Sequence, residues 1–130
     1  MTTMDKVKEY SEKDAFARYC GVEILDIGDG TAKGRLVLRD EHLNGVGIAH
    51  GAAVFTLADA VFAAASNSHG YDAVAININI SYIKATQSGV LYAEAKENNV
   101  RGRIGSYTIT ITDQADQMTA LFEGLVYRKF

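Results

Sequence analysis

The sequence predicts a single α+β domain in which one long buried helix is wrapped by a curved antiparallel sheet of five to six strands. Three stretches carry this expectation. Residues 51–66, GAAVFTLADAVFAAAS, make a helix-length run in which Thr56 and Asp59 are the only polar side chains before Ser66, and a helix with no polar face has to be buried. Residues 74–82 then alternate, with Val74, Ile76, Ile78, Ile80 and Tyr82 on one side and Ala75, Asn77, Asn79 and Ser81 on the other. That is the period of an antiparallel strand. Before the helix, two short runs flank Asp29-Gly30, a dipeptide that favours a two-residue hairpin turn. One long helix beside a run of consecutive antiparallel strands is an α+β pattern.

The elements follow in chain order. Ser11 to Tyr19 reads as a short helix, with Ser11 as N-cap, Asp14 three residues on, and Gly21 as the C-terminal stop. Phe16, Tyr19 and Cys20 would form its apolar side. Val22 to Leu38 is the hairpin, and on its return arm Ala32, Gly34, Leu36 and Leu38 face inward. Arg39 to His50 is a loop. The long helix starts at Gly51, because Gly45 and Gly47 disfavour an earlier start, and Ser66, Asn67, Ser68 and Gly70 end it. Its many alanines would let a sheet approach closely. Strands follow over Val74–Tyr82, Val90–Glu97, Gly105–Thr112 and Met118–Tyr127, separated by turns at Gln87-Ser88-Gly89, at Asn98 to Gly102 and at Asp113 to Gln117. Tyr82 and Tyr107 read as core. Asn77 and Asn79 are uncharged and flat, so the sheet is open to continuation into a second subunit.

Bulk properties limit the function classes. The chain has 130 residues, 48% of them hydrophobic and 22% charged, which suits one folded domain over 1–130 with residues 1–20 as an N-terminal extension. A formal net charge of -3 argues against a general nucleic-acid surface. The long helix is too short and too rich in alanine to span a membrane, so no membrane partner is expected. Cys20 stands alone, which allows no internal disulfide and fits a reducing, cytoplasmic setting. The first residues, with Asp5, Lys6, Lys8 and Glu9, lack the apolar core of a signal peptide. His69 and Cys20 have no partners at ligand spacing, so neither a metal nor a cofactor is expected.

The chemistry concentrates at the start of the long helix. Asp59 lies in an otherwise apolar helix, and Asp is rarely buried without a partner. It reads either as a catalytic carboxylate or as one that caps a neighbouring loop. Asn44 and the glycines at 45, 47 and 51 read by default as turn formers. His50 reads as a residue that bonds loop carbonyls just before the helix, with direct substrate contact as the alternative.

The ordered set His42, Asn44, Gly47, His50, Gly51, Leu57, Ala58 and Asp59 resembles the signature of the hotdog-fold acyl-CoA thioesterases, and specifically the PaaI-like group of the phenylacetate pathway. The likeness extends over roughly Gly21 to Tyr127. There are departures: Ala52 stands where the family often has a second glycine, Lys84-Ala85 stands where it often has Arg-Pro, and no Ser or Thr lies near Ala75 to hold a water. The resemblance implies a hotdog fold, an acyl-CoA substrate and a site shared between subunits of a dimer or a dimer of dimers.

Thioester hydrolysis needs an activated oxygen nucleophile, a cradle for the carbonyl oxygen and a hold on both halves of the substrate. The free N–H groups of Gly51 and Ala52 at the helix start suit the cradle. Asp59 suits a general base, or a nucleophile that forms an anhydride, and Asn44 an orienting group. Lys84, Arg101 and Arg103 are by default solvated cations, and they are the candidates for CoA phosphates. Asp59 comes eight residues after the helix start, roughly 12 Å along the axis, so one carbonyl cannot touch both in one chain. Two antiparallel helices at a two-fold interface would bring the start of one to Asp59 of the other. Two other classes stay in play: a non-catalytic acyl-CoA-binding protein on the same fold, and a hotdog hydratase or dehydratase using His50 and Asp59.

Overall fold

The computed structural model describes residues 2–130. Two helices, α1 (Thr3–Lys13) and α2 (Ala15–Cys20), precede the hairpin β1 (Val22–Gly28) and β2 (Thr31–Val37). A single 3₁₀ turn, Asp40–His42, leads to the long helix α3 (Gly51–Ser66). Four strands follow: β3 (Asp72–Tyr82), β4 (Val90–Glu97), β5 (Ile104–Thr112) and β6 (Met118–Lys129). All six strands join one antiparallel sheet in the order β1-β2-β4-β5-β6-β3.

The N-terminal extension differs from its sequence reading. Thr2 and Asp5 form a reciprocal capping box that starts a helix well before Ser11. Ser11 is therefore inside α1, and Asp14 is the cap of α2, accepting from the Ala17 N–H at 3.1 Å. Gly21 ends α2 in the left-handed region, as expected. Phe16 and Tyr19 are not the buried side of α2. They are 66% and 83% exposed, and Ala17 is buried in their place.

The core lies between α3 and the inner face of the sheet. Leu57, Ala58, Val61, Phe62 and Ala65 meet Leu36, Leu91, Ile109, Ile111, Ala120 and Phe122, all of them buried. Small residues on both sides set the separation. A Cβ on Gly34 would stand 2.7 Å from Val61 Cγ2, and one on Gly124 would stand 2.6 Å from Phe62 Cζ. Glycine is required at both because the helix passes too close for a methyl group. The wrapping is one-sided, however. Ala52 is exposed and Thr56, Asp59 and Ala63 are half-buried, so one flank of this apolar helix is left uncovered by its own sheet.

The alternation read in β3 breaks in the middle. A bulge at Ile76 separates the pairs Ala75↔Val126 and Asn77↔Leu125, and an extra residue reverses which side chains face in. Ala73 is therefore buried, while Val74 and Ile76 are 43% and 52% exposed. Ile78 and Ile80, beyond the bulge, pack against the core as expected. Tyr107 is fully buried. Tyr82 is 55% exposed and is not a core residue, because β3 runs past the end of the helix-covered face. β3 pairs only with β6 and stands at the edge of the sheet.

At the opposite end from Tyr82 a buried polar knot closes the sheet. Glu97 Oε2 accepts from His69 Nε2 at 2.8 Å, from Arg128 at 3.2 Å, and from the Tyr107 hydroxyl. Arg128, 1% exposed, also donates to the carbonyls of Asn99 at 2.6 Å and Gly102 at 3.0 Å. It thereby ties the β4–β5 turn to β6. Burial alone would raise the Glu97 carboxyl, but the bonds from Tyr107 and His69 and the His69 and Arg128 charges outweigh it and hold the group below its ordinary value. A depressed carboxyl stabilises the fold above its ordinary pKa, and that stability is lost as pH falls through the lowered one. Glu97→Gln is expected to destabilise the protein by roughly 2–4 kcal/mol at neutral pH. In denaturant titrations at successively lower pH, the gap from wild type should narrow once pH drops below the ordinary glutamate value of 4.5.

Candidate active site

The loop before α3 is held by its own side chains. Asn44 Oδ1 accepts from the N–H groups of Val46 at 3.0 Å and Ile48 at 3.2 Å, so this oxygen shapes the turn. Gly47 takes a left-handed φ of 80°, which a side chain would resist. The amide NH₂ of Asn44 makes no bond among the described residues. His42, the first residue of the signature, has a structural role. It is 6% exposed; its Nδ1 accepts from the Arg39 N–H at 2.9 Å, and its Nε2 donates to the Cys20 carbonyl at 2.6 Å. The His42 carbonyl then accepts the His50 N–H at 2.7 Å. One buried imidazole thus links α2 to the approach of α3.

His50 is the N-cap of α3, but with the opposite polarity to the sequence reading. Its Nδ1 accepts from the Ala52 N–H at 2.9 Å and bonds no loop carbonyl. Its own carbonyl accepts from Ala53 at 2.9 Å and Val54 at 3.2 Å. The N–H groups ahead of the first i→i−4 bond lack regular helical partners, and two of those here, Ala52 and Ala53, end on His50. The Ala52 N–H is therefore committed, and the sequence expectation that it is a free donor is corrected. The Gly51 N–H is the one left without a partner among the described residues. Because Nδ1 is an acceptor, the neutral His50 ring carries its proton on Nε2.

A cleft of about 290 Å³ opens beside this helix start. Asn44, Ile48, Gly51, Val54, Tyr82 and Lys84 are among its walls, so three of the candidate residues, Asn44, Gly51 and Lys84, come together there. Tyr82, which the sequence reading placed in the core, lines the same cleft. The Lys84 ammonium is already engaged by Asp113 at 2.6 Å and by Gln117. Arg101 and Arg103 lie in the β4–β5 turn, near the C-terminal end of α3 rather than its start; Arg103 donates to the Phe130 carbonyl at 2.8 Å and stacks over that ring at 5.1 Å.

Asp59 sits two helical turns from Gly51 on the flank of α3 that the sheet leaves open, where it is half-buried near Tyr10 and Asp14. It makes no ion pair or hydrogen bond among the described residues. Its carboxyl is raised, first by burial and then by the nearby Asp14 carboxylate. Asp14 is held by the Tyr10 hydroxyl at 2.6 Å. The site therefore offers a donor at a helix start and an unpaired, proton-hungry carboxylate, kept apart within one chain.

The sequence model of the thioesterase superfamily matches residues 46–120. This chain belongs to that family. A curated protein of Archaeoglobus fulgidus is 41% identical over 127 residues, 96% of this chain and 82% of its own. The acyl-coenzyme A thioesterase PaaI of Escherichia coli is 35% identical over 118 residues, 90% of this chain and 84% of its own. The solved E. coli PaaI structure superposes with a TM-score of 0.90 at 31% identity, covering 99% of this chain and 97% of that one. A Streptococcus mutans protein solved with acetyl-CoA bound has a TM-score of 0.79 at 26% identity, over 83% of this chain and 88% of that one. The protein is thus a PaaI-like hotdog thioesterase, a thioester hydrolase of the acyl-CoA class.

Loss of the His50 ring should release the Ala52 N–H and loosen the first turn of α3. His50→Ala is expected to cost about 1 kcal/mol of stability in chemical denaturation, and His50→Asn to retain most of it.

Proposed function

We propose that two copies of this chain associate so that the start of α3 in one faces Asp59 in the other, and that the shared site hydrolyses aryl- or medium-chain acyl-CoA to free acid and CoA. The observation that carries this reading is the uncovered flank of α3, on which an unpaired Asp59 lies beyond reach of the Gly51 N–H in the same chain. A helix this apolar favours a partner over its open flank, and an antiparallel copy brings the two groups together. The unpaired edge of β3 supports continuation of the sheet into the same partner.

In this reading the thioester carbonyl oxygen accepts the Gly51 N–H, aided by the positive end of the helix dipole. Asp59 of the second copy takes a proton from water as the water oxygen bonds to the carbonyl carbon. The tetrahedral adduct then breaks its C–S bond, and the proton passes to the departing thiolate. Direct attack by the carboxylate, through an anhydride, is the other route the same placement allows. The Asn44 amide NH₂ is a second free donor on the cleft wall, beside the Gly51 N–H, and suits orienting the water or the carbonyl. His50, with its proton on Nε2, acts as a donor to substrate rather than as a base. The missing hydroxyl near Ala75 leaves water placement to Asn44 and Asp59. Arg101 and Arg103 serve a CoA phosphate only at a site completed by the second chain. The acetyl-CoA-bound S. mutans relative supports this class of occupant.

A free-thiol release assay over a panel of acyl-CoAs, including phenylacetyl and hydroxyphenylacetyl, tests the activity. Asp59→Ala is expected to lower kcat roughly 10²–10⁴-fold while acyl-CoA binding by calorimetry persists. Unchanged turnover in that variant, or full turnover by a monomer, refutes the assignment. The raised Asp59 carboxyl places the acid limb of kcat/KM above the ordinary carboxylate value of 3.8. Because Asp14 contributes to that rise, Asp14→Asn, which can still cap α2, should move the limb toward lower pH.

A further inference from the structure

The Tyr82 hydroxyl donates to the Gly51 carbonyl at 2.9 Å. The same phenol lies against the Gly51 α-carbon, so that a Cβ there would stand 3.1 Å from both Tyr82 Cζ and its oxygen. The Gly51 carbonyl and the Ala52 N–H belong to one peptide plane. That plane is held at its oxygen by Tyr82 and at its hydrogen by His50 Nδ1, 2.9 Å from the Ala52 nitrogen. The preceding plane, His50–Gly51, is held at its oxygen by the Ala53 and Val54 N–H groups. Only its N–H is free, and that is the Gly51 donor. Gly51 is the hinge between the two planes. Glycine has the widest backbone freedom of any residue, and the first turn of a helix is where fraying starts. The ring and hydroxyl of Tyr82 remove that freedom on the cleft side, where its ring also forms the wall.

We infer that Tyr82 is a positioning residue for thioester hydrolysis, fixing the direction of the Gly51 N–H by clamping the Gly51–Ala52 peptide from the end of the edge strand. The inference rests on the assignment of the Gly51 N–H as the carbonyl donor. A methyl group at 51 would press on the phenol, which would have to give by a few tenths of an ångström.

Tyr82→Phe keeps the ring and removes the hydrogen bond. It is expected to lower kcat roughly three- to tenfold across the acyl-CoA panel with KM within about twofold. Tyr82→Ala is expected to lower kcat further and raise KM, so that Phe rescues KM but not kcat. Amide hydrogen exchange of the active-site turn supplies a readout independent of turnover. Exchange at Ala52, Ala53 and Val54 should quicken several-fold in Tyr82→Phe, with global unfolding unchanged. Wild-type exchange at those amides in Tyr82→Phe overturns the inference, whatever the activity. Faster exchange with an unchanged kcat also overturns it, since the clamp would then have no catalytic consequence. Loss of the Asp59 effect in the preceding assay is a separate result, and it would strike the shared-site reading instead.

Discussion

The close seating of α3 on its sheet is the constraint from which the rest follows. Val61 and Phe62 pass so near to Gly34 and Gly124 that no methyl group fits between. Side chains on that face of the helix are therefore buried to completion, and glycine is kept at the two closest inner positions, one on β2 and one on β6. The six-stranded sheet packs this tightly along only one side of the sixteen-residue helix. Its curvature is spent on one side. The opposite flank, with Ala52, Thr56, Asp59 and Ala63, is left for another surface. The tight core and the open flank are two consequences of one packing choice.

The start of α3 shows how a helix terminus is prepared for a single use. Most of its orphan donors are consumed locally by one residue, His50, through both its ring and its carbonyl. Such economy leaves one N–H with a defined direction rather than a diffuse cluster of donors. Electrostatic stabilisation of a developing oxyanion depends on donors that need no reorganisation when charge appears. Neighbouring tertiary bonds serve the same end, with His42 anchoring the incoming loop to α2 and Tyr82 bracing the outgoing turn from β3.

Far from that turn, the Glu97 knot does different work. It joins the α3–β3 connection, β4, β5 and β6 through one carboxylate and one guanidinium. The strands on which the cleft depends are thereby fixed in register at their other end. Buried charge there is tolerated because each ion has several partners. Asp59, which has none, is the exception among the acidic groups near the core.

Much was legible in the residues alone. The apolar run at 51–66, the Asp29-Gly30 turn and the period-two strands set the element order from β1 onward, since local periodicity and turn chemistry depend on neighbours in sequence. The spacing from Gly51 to Asp59 also fixed their separation, because helix rise is a constant. Tertiary structure alone decided the rest. Whether the Ala52 N–H is free depended on which His50 nitrogen turned toward it. The β3 bulge, invisible to a count of apolar residues, reversed the exposure of Val74 and Ile76. Tyr82 became a brace rather than a core residue because its strand overruns the helix-covered face. Arg128 and Glu97 found each other across strands distant in sequence. Apart from the His50 ring, whose rotamer is a local choice, these outcomes rest on contacts between segments far apart along the chain, and such contacts leave no periodic trace in sequence.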